Sequence, residues 1–317
     1  SGKGVSAIIP NLLTYPGSVF VVDPKGENAA ITARRRRELG QAVYVLDPWG
    51  IAGQGSAAFN PLDLLDLQSL DIAEDAAMLA DALVIERGGD SHWDDEARAL
   101  LAGLMLHVAT VEPKATRNLA KLREMVTLGP DDFDALLDDM ALNMAAGGLP
   151  ARCASRLRQK SERERSGVIS TAQAHTHFLD SPRMAKVMCG SDFDLADLKR
   201  KRMSVFLVLP AERLPTFNRW LRLMVGLALT AMARTPGRPR RPALFVLDEF
   251  AALGRLAVVE TAMGLMAGFG AQLWPILQDL SQLKGLYGER WRSFVANAGL
   301  VQAFNVADVL TAEQLSG

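Results

Sequence analysis

Two short fragments, far apart in this chain, carry the residue types of phosphate chemistry. Ser1-Gly2-Lys3-Gly4 sets a lysine between glycines, so backbone amides can approach an anion without a Cβ in the way, beside a point charge. Ala243-Leu244-Phe245-Val246-Leu247 reads as a buried strand, and it ends in two carboxylates, Asp248-Glu249. A P-loop nucleotidase needs this combination: a lysine at the β- and γ-phosphates, one carboxylate to orient magnesium and one to take a proton from the attacking water. Ser1, Gly2, Lys3, Gly4 and Val5 are therefore the expected nucleotide contacts, with Asp248 as the magnesium ligand and Glu249 as the base. ATP and Mg2+ are the expected ligands. Gly4 stands where a serine or threonine usually offers magnesium a hydroxyl, so coordination must lean on Asp248, water and the phosphates. The glycine-rich opening of the loop is expected to precede Ser1, which reads as a truncation. Asp23 also ends an apolar strand and ranks second for the metal, because the proline and lysine after it suit a structural turn.

These residues need a scaffold that places distant positions side by side. Residues 18–22 and 43–46 are continuous apolar, β-branched runs ending at Asp23-Pro24 and Asp47-Pro48, with a helical stretch at 28–39 between them. This is βαβ spacing, for which a right-handed parallel crossover is the default. A short helix at 4–13, stopped by Pro16-Gly17, should follow the lysine loop. From Asn60-Pro61 the texture changes. Apolar residues recur at helical spacing in 72–85, 97–111, 119–126 and 133–145, and strand runs resume only at 205–210, 244–247, 273–277 and 300–304. The expected architecture is an α/β nucleotide-binding domain with a mostly parallel sheet (residues 1–62 and 196–317), interrupted by an all-α insertion at 63–195.

Composition narrows the class. With 317 residues, 49% hydrophobic and 22% charged, the chain can bury a sizeable core, and two domains fit its length. A formal net charge of -1 gives no global pull toward nucleic acid or an anionic membrane, so such contacts must be local. Cys153 and Cys189 make no disulfide framework and lack zinc spacing, which favours a reducing compartment. The apolar stretch at 223–233 falls short of the roughly 18 residues a membrane span needs.

The motifs, taken in order, resemble the VirD4/TraG family of type IV secretion coupling proteins over nearly the whole chain. The matching words are Ser1-Gly2-Lys3-Gly4-Val5 with Ile9-Pro10-Asn11-Leu12-Leu13, Val22-Asp23-Pro24-Lys25-Gly26-Glu27-Asn28, Phe59-Asn60-Pro61-Leu62, Leu247-Asp248-Glu249-Phe250 and Gln278-Asp279-Leu280-Ser281-Gln282-Leu283. The resemblance implies a RecA-like P-loop ATPase that forms a homo-hexamer and carries a helical domain. It also implies delivery of relaxase–DNA complexes or effector proteins to the secretion channel, from the cytoplasmic face of the bacterial inner membrane, through an N-terminal anchor expected upstream. In this family a glycine after the P-loop lysine is usual. Gln278, at the end of the 273–277 run, is the expected γ-phosphate sensor. Arg255, Arg290 and Arg292 are candidates for an arginine finger acting in trans. The rival readings are a DNA-pumping ATPase of the FtsK or HerA kind, which the helical insertion argues against, and a non-hydrolysing platform that docks cargo.

Other charged positions read more simply. Arg34-Arg35-Arg36-Arg37 closes a helix, where cations complement the macrodipole, and reads as a solvated face. The basic stretch from Arg152 to Arg165 lacks aromatics, so any DNA contact there is expected to be through phosphates, sequence-independent and salt-dependent. His175 and His177 lack a third metal ligand, and His92-Trp93 should anchor helical packing. Asp63, Asp66, Asp71, Glu74, Asp75 and Asp81 form an acidic set that reads as a solvated helix face, with docking of basic cargo signals as the alternative.

Overall fold

β-Branched and aromatic side chains suit a sheet covered on both faces, and five of the six apolar runs fall in strands. The computed structural model describes residues 2–85 and 91–304. In chain order the elements are α1 (Ile9–Thr14), β1 (Val19–Asp23), α2 (Glu27–Glu38), β2 (Ala42–Leu46), α3 (Ile72–Leu83), α4 (Ser91–Val111), α5 (Leu119–Val126), α6 (Pro130–Leu142), α7 (Ala145–Arg158), α8 (Glu162–Thr176) and α9 (Pro182–Val187). They continue with α10 (Asp197–Arg200), β3 (Met203–Val208), α11 (Leu214–Arg234), β4 (Ala243–Leu247), α12 (Ala257–Leu265), β5 (Ala271–Pro275), α13 (Leu280–Tyr287) and α14 (Trp291–Ala296). They fall into two compact units, one of residues 1–57 with 193–317 and one of residues 58–192. No described helix is long and apolar enough to cross a membrane.

In the first unit all five strands run parallel, in the order β2-β3-β1-β4-β5. The three central strands are buried along their whole length, and Phe20 stacks on Phe245 with ring centroids 5.3 Å apart. After β1 the chain turns toward β2, and after β4 it turns the other way to β5. The junction of β1 and β4 is therefore the switch point where open α/β sheets bind ligands. Val22 pairs with Leu247 there, which puts Asp23 and Asp248 at the same edge. The 300–304 run forms no strand: Leu300 and Val301 are exposed there, and no strand among the described residues pairs with it.

The arginine run is not uniformly solvated. Arg36 is fully buried, and its guanidinium donates to Ser204 Oγ (2.9 Å), Leu12 O (3.1 Å), Tyr15 O, Gly17 O (2.6 Å) and Gln41 Oε1 (2.7 Å). Only a planar fork reaches so many acceptors. Burial lowers its pKa to about 10, which leaves the cation intact at neutral pH.

In the second unit α4 packs against α3, α5, α7 and α8. Two glycines allow the closest approaches: a Cβ at Gly103 would lie 2.3 Å from Cys153 Sγ, and one at Gly167 would lie 2.4 Å from Trp93 Cζ3. Much of the basic stretch is neutralised inside this unit. Arg156 forks onto Glu96 at 2.6 and 3.1 Å, Lys160 reaches Glu96 and Glu164, Arg158 reaches Asp138, and Arg165 bonds Asp134. Those four cations hold helices together and do not stand free for phosphates. His175 and His177 each approach a carboxylate, Asp94 and Asp180, at 3.0 Å. The acidic set does not share one face either, because Asp75 is buried and Asp63 is engaged by Asn60 and Ser191. Asn60 caps the turn at 61–64 through Leu62 N and donates to Arg117 O at 2.7 Å. Where the unit begins and ends, Ala58 N donates to Asp192 Oδ2 at 2.8 Å and Asp192 N donates to Ala58 O at 3.0 Å.

Candidate nucleotide-binding site

Gly2 adopts φ +71, a conformation glycine enters freely, and its carbonyl accepts from Ser6 N at 3.0 Å and Ser6 Oγ at 2.7 Å. The helix it opens is π-wound from Gly4 to Ile8 before it tightens into α1. Such wide turns concentrate at functional sites. Lys3 extends its Nζ to Leu277 O at 3.1 Å, just past the end of β5. Gly4 lies in the π turn and Val5 is 77% exposed. Ser1 lies outside the described residues.

Asp248 and Glu249 follow β4 directly. The Glu249 backbone N donates to Asp248 Oδ1 at 3.0 Å, and Glu249 itself is left-handed, at φ 49 and ψ 45. A non-glycine residue seldom holds that conformation without a constraint. Gln278 lies three positions beyond the end of β5, and its Nε2 donates to Glu249 Oε2 at 3.3 Å. Asp279 then caps α13 through Gln282 N. Lys3, Asp248, Glu249 and Gln278, spread over the length of the sequence, are thus brought to one edge of the sheet.

The electrostatics of that edge favour a cation. Burial raises the Asp248 pKa, and the Glu249 charge adds to the rise, while the Glu249 backbone N–H, Lys3 and Lys25 oppose it. Asp23 is raised to about 6, chiefly by burial and also by the Asp248 charge, although the Ala29 and Asn28 N–H groups pull it down. Its carboxylate accepts from Ala29 N at 2.8 Å and Asn28 Nδ2 at 3.3 Å, so it caps α2 behind the left-handed Gly26. Among the described residues no three His, Cys, Asp or Glu side chains gather as a closed metal cage. A pair of hard oxygen donors, Asp23 buried and Asp248 half-buried, suits magnesium, which keeps waters and takes one or two carboxylates plus phosphates. The residues present fit that ion.

One pH dependence follows. The folded-state pKa of Asp23 lies above its unfolded value, so its favourable contribution is complete below about pH 4 and is lost as pH rises through about 6. Asp23→Asn keeps an oxygen for Ala29 N and avoids the buried charge. Without ligand, the variant should gain on the wild type between pH 4 and 8, by up to ~3 kcal/mol. Parallel denaturation curves for the two proteins across that range would show that Asp23 does not titrate there.

Two supporting residues escaped the sequence reading. Arg222 of α11 donates to Leu253 O and Arg255 O, and Tyr287 Oη accepts from Leu256 N; both brace the segment after Glu249. The signal for Arg222 was a cation flanked by Leu221, Leu223 and Met224 on the apolar face of a helix. Of the finger candidates, Arg255 and Arg290 share Glu260, at 3.8 and 2.9 Å, and Arg292 pairs with Glu289.

A five-stranded parallel sheet with Lys3 and the Asp248-Glu249 pair gathered at one edge is an α/β fold of the RecA-like class. The same fold appears in two solved structures of the plasmid-coupling protein TrwB. One, in complex with sulphate, matches with a TM-score of 0.62 at 18% identity, over 89% of this chain and 68% of that one. The other, in complex with ADP and Mg2+, gives 0.60 at 18% identity, over 89% and 69%. The chain belongs to the family described as Type IV secretory system Conjugative DNA transfer, whose profile matches residues 1–317. It is 31% identical to the conjugal transfer protein TraG of Escherichia coli, over 100% of this chain and 53% of that protein. It is also 28% identical to the type IV secretion system-coupling protein VirD4 of Bartonella quintana (strain Toulouse), over 99% and 50%. The chain spans about half the length of these curated relatives.

Proposed function

We propose that this chain is the ATP-hydrolysing motor of a type IV secretion coupling protein, which recruits DNA, nucleoprotein or effector cargo and passes it to the secretion channel. The observation that carries the reading is the meeting of Lys3, Asp248, Glu249 and Gln278 at the sheet switch point in a member of this family. Lys3 holds the β- and γ-phosphates, with the Gly2 and Gly4 amides beside it. Asp248 holds Mg2+, which when bound neutralises charge on the phosphate oxygens. Gln278 occupies Glu249 Oε2, leaving Oε1 to take a proton from the water that attacks the γ-phosphorus. The breaking phosphoanhydride bond leaves its electron pair on ADP. Ser1 and Val5 complete the proposed phosphate contacts.

A homo-hexamer at the cytoplasmic face of the inner membrane, membrane-anchored outside this segment, completes the proposal. The helical unit, residues 63–195 in the sequence reading, would recognise cargo. Phosphate release by the full-length gene product, with and without Lys3→Ala, tests the motor. Removing the phosphate-binding charge should raise KM and lower kcat, together lowering kcat/KM by ~100-fold or more. A wild-type protein that binds ATP but releases no phosphate above the uncatalysed rate would instead be a docking platform.

A further inference from the structure

The turn behind Glu249 is held by a side chain that the proposed chemistry does not use. Arg222, midway along α11, is 6% exposed. Its Nη1 donates to Leu253 O at 2.8 Å and to Arg255 O at 2.7 Å, on either side of Gly254 at φ +68. One helical turn earlier, Asn218 Nδ2 donates to Ala252 O at 3.2 Å. Two side chains of one helix thus fix three carbonyls within the segment that leads away from Glu249.

From the other side, Phe250 N donates to Ile276 O at 3.0 Å, and the buried Phe250 ring packs with Tyr287 and Phe294. Ala252 N closes the turn onto Glu249 O at 2.8 Å. Glu249 therefore lies between a fixed strand and a clamped turn, in a backbone conformation that a non-glycine residue seldom adopts without constraint. A buried guanidinium that meets neutral carbonyls is an expensive way to fill space, since apolar side chains pack such positions at no desolvation cost. Its Nε has no hydrogen-bond partner among the described residues, so the group is not there to satisfy itself.

We infer that Arg222 is a positioning residue for hydrolysis: by clamping the carbonyls of Leu253 and Arg255 it holds Glu249 left-handed, with its carboxylate beside Gln278. The inference rests on the proposed base role of Glu249. Lys199 is a matched control, because it is also buried and its Nζ also donates to two carbonyls of the α11 region, Met232 O at 2.9 Å and Thr235 O at 2.6 Å. In the full-length gene product, Arg222→Met should lower kcat per folded molecule about tenfold or more, because a small misplacement of a catalytic group has that effect. KM for ATP should stay within about twofold, since the clamp touches no phosphate contact. Arg222→Lys should recover part of kcat, as one ammonium can reach two carbonyls. Lys199→Met should lose stability but keep kcat.

Equal kcat for Arg222→Met and Lys199→Met, per folded molecule, would overturn the inference. Should Arg222→Met fail to fold, Arg222→Lys and Asn218→Ala decide it, and wild-type kcat in both overturns it. Glu249→Gln run alongside separates the two failures. If that variant hydrolyses at the wild-type rate, the base role falls and takes the inference with it. If it is slow while Arg222→Met is not, only the positioning role falls.

Discussion

Glu249→Gln should lower ATP turnover by ~100-fold or more while leaving ATP affinity near the wild-type value, since a positioned base contributes about 10² to 10⁴ in rate. The substitution is close to isosteric, and the amide oxygen can still accept from Gln278 Nε2, so the 3.3 Å contact between the two positions need not be lost. What disappears is the basic lone pair for the proton of water. Asp248 and Lys3 are untouched, so the proposed phosphate and metal contacts should persist. Single-turnover phosphate release, paired with equilibrium binding of ATP, reads the two quantities separately in the full-length gene product. Equal turnover under saturating ATP would assign the base elsewhere. Lost binding would mean that Glu249 belongs to the nucleotide contacts instead.

Arg36→Met should be the most destabilising single change in the sheet unit, costing ~3–5 kcal/mol. Methionine replaces the aliphatic stem but donates nothing. The carbonyls of Leu12, Tyr15 and Gly17 and the side chains of Ser204 and Gln41 lose their guanidinium donor together. Those carbonyls line the bend between α1 and β1, so the loss strikes the link between the lysine loop and the sheet. Thermal unfolding should fall by roughly 10 °C. Arg36→Lys should restore little of this, because one ammonium has three donors and no planar fork. Melting of Arg36→Met within about 2 °C of the wild type would show that water replaces the guanidinium without loss.

The parallel strands and the carboxylate strand were legible because burial on both faces leaves an uninterrupted apolar run, as at residues 19–22 and 244–247. The 119–126 periodicity coincides with α5. What the pattern did not carry was partnership. Arg36 and Arg34 are the same letter in one run, yet one is buried and the other meets Glu38 at the surface; only the acceptors on Leu12, Tyr15 and Gly17, distant in sequence, tell them apart. The 152–165 cations likewise look free until Glu96, Asp134 and Asp138 come from other helices. The 300–304 run shows the opposite error, since a mostly apolar string is not a strand unless another strand pairs with it. For the candidate site, Lys3 and the Asp248-Glu249 pair were singled out from chemistry alone, and the structure places them at one edge of the sheet. The π turn at Gly4–Ile8 and the left-handed Glu249 were not, because backbone conformation of that kind is set by the surrounding fold.

The paired hydrogen bonds between Ala58 and Asp192 bear on the order in which the chain can fold. The two residues stand 134 positions apart, and β2 and β3, sheet neighbours, lie on either side of that interval. If β2 and β3 had to find each other first, the whole interval would be a loop to close, and such searches slow folding of parallel sheets. Once the helical unit has condensed, its two ends are already together, and the remaining search spans only the short arms from Leu46 to Ala58 and from Asp192 to Met203. The helices can form from local contacts, so the fast route runs through them, with the sheet, and the site at its switch point, assembled last.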